Sequence, residues 1–166
     1  GSGAVNKLTR DDSDAIGRLG TIEFATPRNL ETAKIEYNDV VVFSMAVSVD
    51  DEMEREMYET MDLEADRGTM LLNDALGRIV IGDGLADGSK NGFDKDIMTG
   101  DNILVQDERF KVVGILKKKG SFMFDNIVLM YQDDLDDLFE VGDEVDVIGV
   151  KVKHPDLMDR AKEEIE

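Results

Sequence analysis

The sequence predicts an α+β fold, because segments with strand alternation fill the middle of the chain while segments with helical period lie nearer both ends. The central stretch at 78–120 carries most of this signal. It begins with a short apolar strand at 79–81, and two alternating segments at 103–105 and 110–116 surround polar residues at 106–109. This order predicts a β-hairpin inside a small β-rich core.

The elements before this stretch follow from caps, breakers and hydrophobic period. Thr9 is a suitable N-cap with acidic residues after it, and Pro27 is expected to stop the first strand. Met53, Met57 and Met61 share one face of a helix, which indicates packing against the core; a methionine-lined groove for a partner is the alternative. The predicted elements are a helix at 10–19, a strand at 21–25, a hairpin at 32–43 with its turn at Asn38-Asp39, and a helix within 50–61.

The later elements are read in the same way. Arg67 and Gly68 predict a turn with a left-handed glycine, and Val141 and Gly142 predict a hinge. The other predicted features are an exposed basic loop at 117–120, a strand at 127–130, a helical turn at 135–139, a strand at 145–152, and a last helix that begins at His154-Pro155-Asp156.

Length and composition bound the class of protein. The 166 residues, 42% of them hydrophobic, suffice for one domain or for two small lobes that share a core. The longest apolar stretch, at 40–49, is interrupted by two serines and is too short to cross a bilayer. The sequence contains no signal-peptide pattern. We therefore expect the segment to be soluble as given, even as a piece of a membrane protein.

The charge balance excludes one class of partner. Asp and Glu number 38 against 19 Lys and Arg, which gives a formal net charge of -19 at pH 7. Such a surface repels phosphate backbones, so we expect no nucleic-acid binding, and the acids are interpreted as a solvated surface. The chain has no cysteine, which removes thiol catalysis, disulfides and cysteine metal sites.

A glycine-rich turn after a strand raises the possibility of dinucleotide binding. Gly82, Asp83 and Gly84 follow the strand at 79–81, but the third glycine of the motif should stand at position 87, where the chain has Asp87. An aspartate there would also repel a pyrophosphate. The pattern therefore favours a tight strand-to-helix turn over a cofactor site.

Two further constellations are weak. Asp83, Asp87, Asp94 and Asp96 lie in a glycine-rich region but lack the order of a calcium-binding loop, so solvated loop acids are favoured and a weak divalent-cation site stays open. His154, the single histidine, precedes a proline and is interpreted as a surface turn residue. We predict no catalytic, cofactor-binding or metal-binding residues.

A succession of short motifs resembles a known family. The matching segments are 8–12, where a helix opens, the Arg67-Gly68 turn, 79–86 (IVIGDGLA), 99–103 (TGDNI), 110–116 (FKVVGIL) and 145–152 (VDVIGVKV). Their order resembles the extracytoplasmic, or periplasmic, core domain of MacB/FtsX-type ABC transporter permeases over nearly the whole chain. The chain departs from that pattern where the segment leading to Leu8 is short and where it stops before a second membrane helix.

The resemblance implies a single extracytoplasmic domain over 1–166 with two lobes. One is a βαβ-type lobe formed by 1–30 together with 140–166, and the other is a β-rich lobe inserted at 31–139. It also implies that the domain is attached to a cell membrane, on the extracytoplasmic side, and carries no catalytic or cofactor residues.

The implied function is mechanical. Such a domain would transmit ATP-driven motion of transmembrane helices to a substrate or partner outside the membrane, in efflux or in lipoprotein or peptide export. The implied partners are a cytoplasmic ABC ATPase subunit, reached through the membrane part, a second permease subunit in a homodimer or heterodimer, and an extracytoplasmic protein.

Two other functions stay open, and the sequence does not choose the transported substrate, the partner or the direction of transport. The first is a soluble module that binds a small ligand in a cleft between lobes. The second, less favoured, is a hydrolase or nucleotide enzyme.

Overall fold

The structure is a computed structural model that describes residues 7–166. Residues 1–6, which belong to the predicted terminal lobe, lie outside this range. In chain order the elements are β1 (Leu8–Thr9), α1 (Arg10–Gly17), β2 (Ile22–Arg28), β3 (Leu30–Tyr37), β4 (Val40–Val49), α2 (Glu54–Met61), β5 (Ala65–Gly68), β6 (Arg78–Ile81), α3 (Asp83–Ala86), β7 (Asn102–Val105), β8 (Glu108–Leu116), α4 (Phe122–Asp125), β9 (Val128–Tyr131), α5 (Gln132–Phe139), β10 (Glu144–Val145), β11 (Val147–Val152), a 3₁₀ turn at Pro155–Leu157 and α6 (Met158–Ile165).

Helices and sheets are both present in separate segments, and the predicted α+β class is confirmed. None of the helices between residues 7 and 166 is long and apolar enough to cross a membrane.

Six strands form a closed barrel in the order β8-β6-β9-β4-β3-β7, because β7 pairs with β8 and completes the ring. β8 makes this possible by its length. Its first half pairs with β7 and its second half with β5, while β6 lies along its other edge. Closure satisfies most strand edges without help from another chain.

Two apolar layers lie on the two faces of the barrel wall, as strand alternation requires. The interior is filled by side chains that include Ile35, Ile79, Ile103 and Val128. The outer layer packs under α2 and the segment at 63–71, and Met57 is fully buried there. This confirms the interpretation of the methionine-rich helix as a core element, because Met57 has no surface left for a partner.

Two hairpins, β3-β4 and β7-β8, contribute to the barrel, and both have two-residue turns with a left-handed backbone. Asn38 and Asp39 have φ of 52° and 59°, and the predicted first hairpin is confirmed. In the second hairpin the turn is Gln106-Asp107, with φ of 51° and 67°. The turn predicted at 106–109 is therefore too long, because Glu108 and Arg109 already pair with β7.

Two predicted breaks are wrong. Pro27 lies inside β2, because β2 belongs to a two-stranded sheet with β11, and a strand with an unpaired edge tolerates proline. Gly68 has the predicted left-handed φ of 68°, but it ends β5 instead of forming a turn. A Cβ at this glycine would lie 2.1 Å from the carbonyl oxygen of Val113, so the close approach of β8 also requires glycine.

The terminal segments pack beside the barrel. β1, α1 and β2 follow one another in βαβ order, β1 pairs with β10, and β2 pairs antiparallel with β11. α1 begins with a capping box, in which Thr9 and Asp12 each accept a hydrogen bond from the other's backbone N–H. The strand predicted at 145–152 is divided at Asp146, whose backbone N–H donates to the carbonyl oxygen of Arg28.

Candidate functional site at the joint between barrel and terminal segments

Asn29 is a buried polar residue at the point where β2 leaves the terminal segments and the chain enters the barrel. Its side chain is 2% exposed. The backbone N–H donates to Ser48 Oγ at 2.7 Å, and the backbone oxygen accepts from the N–H of Ser48 at 2.9 Å. The side-chain Nδ2 donates to the carbonyl oxygen of Glu144 at 2.8 Å, and Oδ1 accepts from Gln132 Nε2 at 2.9 Å. The side chain of Asn29 therefore connects α5 and β10, and its backbone adds β4.

Two neighbours complete this connection. Gln132, also buried, donates from Nε2 to Asp136 within α5 as well as to Asn29. Asp146 accepts from the N–H of Leu30 at 2.8 Å, so the first residue of β3 is held by the strand break between β10 and β11. We define the joint as Asn29, Ser48, Gln132 and Asp146 with the backbone of Glu144.

A second link between the two parts runs through α2. The ammonium group of Lys151 in β11 contacts Glu59 of α2 and lies 3.6 Å from Glu23 in β2. The hydrogen bond with Glu59 and the negative charge of Glu23 raise the pKa of Lys151. At its other end α2 is tied to the barrel, because Tyr131 donates to Glu54 at 2.6 Å. Burial raises the pKa of Tyr131, so this hydroxyl stays a donor at neutral pH.

A third link joins α1 to the end of β4. Arg10 Nη1 lies 3.8 Å from Asp50 Oδ2, and Arg10 Nη2 is buried without a hydrogen-bond partner. The charges near the joint also affect Glu31, whose pKa is raised first by burial and then by the negative charge of Asp146.

The joint is made of directional bonds and therefore has a defined geometry. Asn29 lies between β2 and β3 and is bonded to β4, α5 and β10, so these elements are tied to one another at this residue. The joint contains no nucleophile paired with a base.

The glycine turn considered for a cofactor is filled by the chain's own backbone. A Cβ on Gly82 would lie 2.4 Å from the carbonyl oxygen of Asp125, and a Cβ on Gly84 would lie 2.9 Å from it. Asp83 pairs with Arg67 at 3.4 Å. The space beside these glycines is therefore taken up by the backbone of α4. This agrees with the prediction of a tight strand-to-helix turn.

The acidic loop after α3 uses its side chains on its own backbone. Asp87 accepts from the hydroxyl and the N–H of Ser89, and these bonds lower its pKa; Asp96 accepts from the N–H of Gly88 at 2.7 Å. Within residues 7–166 no three His, Asp or Glu side chains are grouped so that they could hold a metal ion.

The single histidine and the basic loop at 117–119 lie at the surface and apart from one another. His154 is exposed and precedes the 3₁₀ turn, as predicted from its proline. Lys117, Lys118 and Lys119 lie in an exposed loop, and Lys119 donates to the carbonyl oxygen of Asp62 at 2.7 Å.

The joint itself was missed by sequence reasoning. Asn29 stands between two strands, two residues after Pro27, and such a position indicates an ordinary turn. Its hydrogen-bond partners are as many as 115 residues away in sequence. The one available signal was a polar residue between two apolar strands, and this signal is common.

Two grooves lie elsewhere in the structure. One of about 560 Å³ separates α1 from α6 and is lined by residues that include Leu8, Ile16 and Ile165. Another of about 440 Å³ lies beside β4. Neither lies between the barrel and the terminal segments, where the alternative ligand-binding cleft was expected.

Comparison with known proteins identifies relatives. The family model of the MacB-like periplasmic core domain matches residues 1–166. The uncharacterized ABC transporter permease MJ1507 of Methanocaldococcus jannaschii is 33% identical over 132 residues, which are 80% of this chain and 32% of that protein. The chain thus spans about a third of this curated relative.

Solved structures share the fold at low identity. The extracellular domain of the noncanonic ABC-type transporter YknZ from Gram-positive bacteria superposes with a TM-score of 0.75 at 11% identity, over 93% of this chain and 78% of that one. The periplasmic region of MacB from Actinobacillus actinomycetemcomitans gives 0.75 at 13% identity, over 99% and 76%. The predicted resemblance is confirmed: the chain belongs to the MacB-like periplasmic core domain family of ABC transporter permeases.

Proposed function

We propose that this chain is the extracytoplasmic domain of an ABC transporter permease and that it transmits motion of the membrane helices to a substrate or partner outside the membrane. The work would come from ATP in a cytoplasmic ATPase subunit bound to the membrane part. The permease would act as a dimer, with an extracytoplasmic protein as a further partner. Family membership supports the location, and the joint supports the mechanical role.

The joint around Asn29 is the observation that carries this proposal. Within residues 7–166 the terminal segments form two two-stranded sheets, and these are separate from the barrel sheet, which begins with β3 at Leu30. We treat the two parts as the predicted lobes, 1–30 with 140–166 and 31–139. Hydrogen bonds of 2.7 to 2.9 Å connect them at Asn29, whose backbone bonds to Ser48 and whose side chain accepts from Gln132. Because both chain crossings, at Asn29 and after α5, pass through this region, movement of either terminal segment would reach the barrel there.

The barrel is suited to act as a rigid body. A closed ring of strands around a fully buried apolar interior resists bending, since deformation would open packed contacts. Gly142, with φ of 64°, lies between α5 and β10 and is our candidate hinge residue. We further propose that the domain performs no catalysis of its own.

Distance measurements between spin labels test the mechanical role. This segment has no cysteine, so Met98→Cys on the barrel and Met158→Cys on α6, at residues 62% and 46% exposed, are its two labelling sites in a full-length permease whose other cysteines have been replaced. We expect the distance distribution to shift between nucleotide-free and ATP-trapped transporter. A control pair within the barrel, Met98→Cys with Met123→Cys, should stay unchanged.

Two outcomes would contradict the proposal. A full-length gene without hydrophobic stretches of about 20 residues beside this segment would remove the membrane attachment. A 98–158 distance that stays fixed while the membrane helices move would remove the transmission between lobes.

A further inference from the structure

β4 has a free edge in the wall of the barrel. It pairs with β3 from Val40 to Val47, but with β9 only from Ala46 onward. The stretch from Val40 to Met45 therefore has a neighbouring strand on one side alone.

The free edge presents backbone groups to an incoming strand. The two-residue turn makes Tyr37 and Val40 a hydrogen-bonded pair, so bonding alternates and the N–H and C=O groups of Val41 and Phe43 point away from β3. The bond from Gln106 N–H to the oxygen of Lys34, which is opposite Phe43, agrees with this alternation. Outside the ladder with β3, no backbone–backbone hydrogen bond among residues 7–166 involves Val41 or Phe43.

An apolar groove lies beside this edge. The groove of about 440 Å³ separates β4 from α3 and α4, and its apolar lining is Val42, Phe43, Met45, Leu85, Phe122 and Met123. Phe43 is 65% exposed and Phe122 is 86% exposed. Exposed aromatic rings beside an unpaired strand edge are typical of a site that another chain covers.

Two lysines lie at the rim of the groove although the chain carries a net charge of -19. Lys90 lines the groove and lies 4.0 Å from Asp87, and Lys118 lines the adjoining depression with Lys90 and Phe122. The two carboxylates of that depression are engaged: Asp83 pairs with Arg67, and Asp125 accepts from the N–H groups of Lys119 and Gly120. Lys118 forms no ion pair with any described residue.

We propose that the edge of β4 is a strand-addition site for an extended segment of another protein, with alternating apolar residues and flanking carboxylates. The segment would bond to the backbone of Val41 and Phe43 and insert side chains between Phe43 and Phe122, and its carboxylates would lie near Lys90 and Lys118. A second copy of this chain is disfavoured because two bodies of charge -19 repel each other, whereas the segment brings only a few carboxylates and places them beside Lys90 and Lys118. This inference stands independently of the proposed mechanical function.

Fluorescence anisotropy with a synthetic peptide tests the proposal. The probe is a labelled decapeptide, Asp-Glu-Val-Thr-Val-Phe-Val-Thr-Asp-Glu, and three matched peptides are compared with it. One is N-methylated at alternate residues, one carries Lys at the four acidic positions, and one has a scrambled order. We expect saturable binding of the probe and at least about tenfold weaker binding of the first two, because each loses hydrogen bonds or charge attraction.

Variants of the protein locate the binding. Phe43→Pro removes a backbone N–H that points outward and makes no hydrogen bond to β3. Phe122→Ser replaces an aromatic ring that is mostly exposed to solvent. Each substitution should weaken peptide binding by about fivefold or more. Lys118→Glu should reduce affinity most at low salt, whereas Lys162→Glu on α6 should leave it unchanged. Melting curves verify that each variant is folded.

The contrary outcomes are equally specific. Probe binding that is unaffected by both Phe122→Ser and Lys118→Glu, equal binding of the scrambled peptide, or no binding up to millimolar protein would overturn the proposal. Sedimentation that shows a dimer abolished by Phe122→Ser, without peptide binding, would mean that the edge is a contact between copies instead.

Discussion

At the scale of single residues, Asn29 has the largest structural consequence of any side chain considered for function. Its side-chain amide donates and accepts while it is buried, and the two partners of that amide belong to elements that are distant in sequence. Removal of the amide leaves the partly buried Glu144 carbonyl without this donor, which costs more than the bond itself contributes.

We predict that Asn29→Ala lowers the free energy of unfolding by about 1–3 kcal/mol, because the Glu144 carbonyl loses its donor and Gln132 Nε2 loses one of its two acceptors, while the backbone bonds to Ser48 remain. Urea denaturation followed by circular dichroism measures this. Asn102→Ala, at an exposed strand end, is the control and should change stability by less than about 0.5 kcal/mol. Equal effects of the two substitutions would show that the joint is not a centre of stability.

Asp134 gives a prediction about pH. Burial raises its pKa, with added repulsion from Asp137 and Asp133, although it accepts from the N–H of Gly77 at 2.9 Å. A folded-state pKa above the unfolded value means a contribution to stability that is present at low pH and is lost as pH rises through the folded pKa.

Asp134→Asn keeps an acceptor for Gly77 and cannot ionise. Its stability relative to the wild type should therefore improve as pH rises from about 3 to 6 and then level off, by less than about 1 kcal/mol in total. Chemical denaturation at a series of pH values measures the difference. A difference that is flat across this range would contradict the raised pKa.

At the scale of elements, the turn from β6 into α3 depends on close contact with α4. Gly82 has no room for a side chain, because a Cβ would lie 2.4 Å from a backbone oxygen. The glycines that suggested a phosphate site are thus required by packing between two short helices.

We predict that Gly82→Ala destabilises the fold by more than about 1 kcal/mol, since backbone must move to admit the methyl group. Gly20→Ala is the matched control: a Cβ there meets nothing within 4 Å, so its effect should be near zero or slightly stabilising. Thermal and urea unfolding of both variants measure the effect. If Gly82→Ala were as stable as the wild type, the backbone of α4 would have to lie farther from Gly82 than the distance of 2.4 Å between a Cβ and the Asp125 oxygen implies.

At the scale of the whole molecule, the net charge of -19 opposes the compact state. The ion pairs at the surface, such as Lys151 with Glu59, are exposed and contribute little. Repulsion among the remaining acids should therefore dominate the response to salt.

We predict that the melting temperature rises by several degrees between about 20 mM and 500 mM NaCl, as screening shortens the range of repulsion from roughly 20 Å to a few ångströms. Differential scanning calorimetry measures the shift. KCl should act equally, because screening does not distinguish the two cations. A fall in the melting temperature would mean that the links through Lys151 and Arg10 outweigh the repulsion.

Association is also predicted at this scale. We expect the isolated segment to be monomeric or weakly dimeric, because the main contacts between permease subunits would lie in the membrane. Sedimentation velocity at low micromolar concentration measures this. A tight dimer under those conditions would contradict the expectation.

Local pattern was enough for most elements and for the family. The capping box at Thr9, the turn at Asn38-Asp39 and the buried Met57 depend on contacts within a few residues or on one periodic face, and such features are written in short stretches. The charge balance likewise predicts, without any structure, that the chain binds no nucleic acid.

Tertiary structure alone decided how these elements meet. Pro27 continues a strand because β2 has one neighbour, β8 closes the barrel because three strands share its two edges, and Asn29 joins residues up to 115 positions apart. Alternation indicates which face of a strand is apolar, but it does not indicate which strand lies beside it. The joint and the free edge of β4 both arise from that choice of neighbours, which only the folded chain makes.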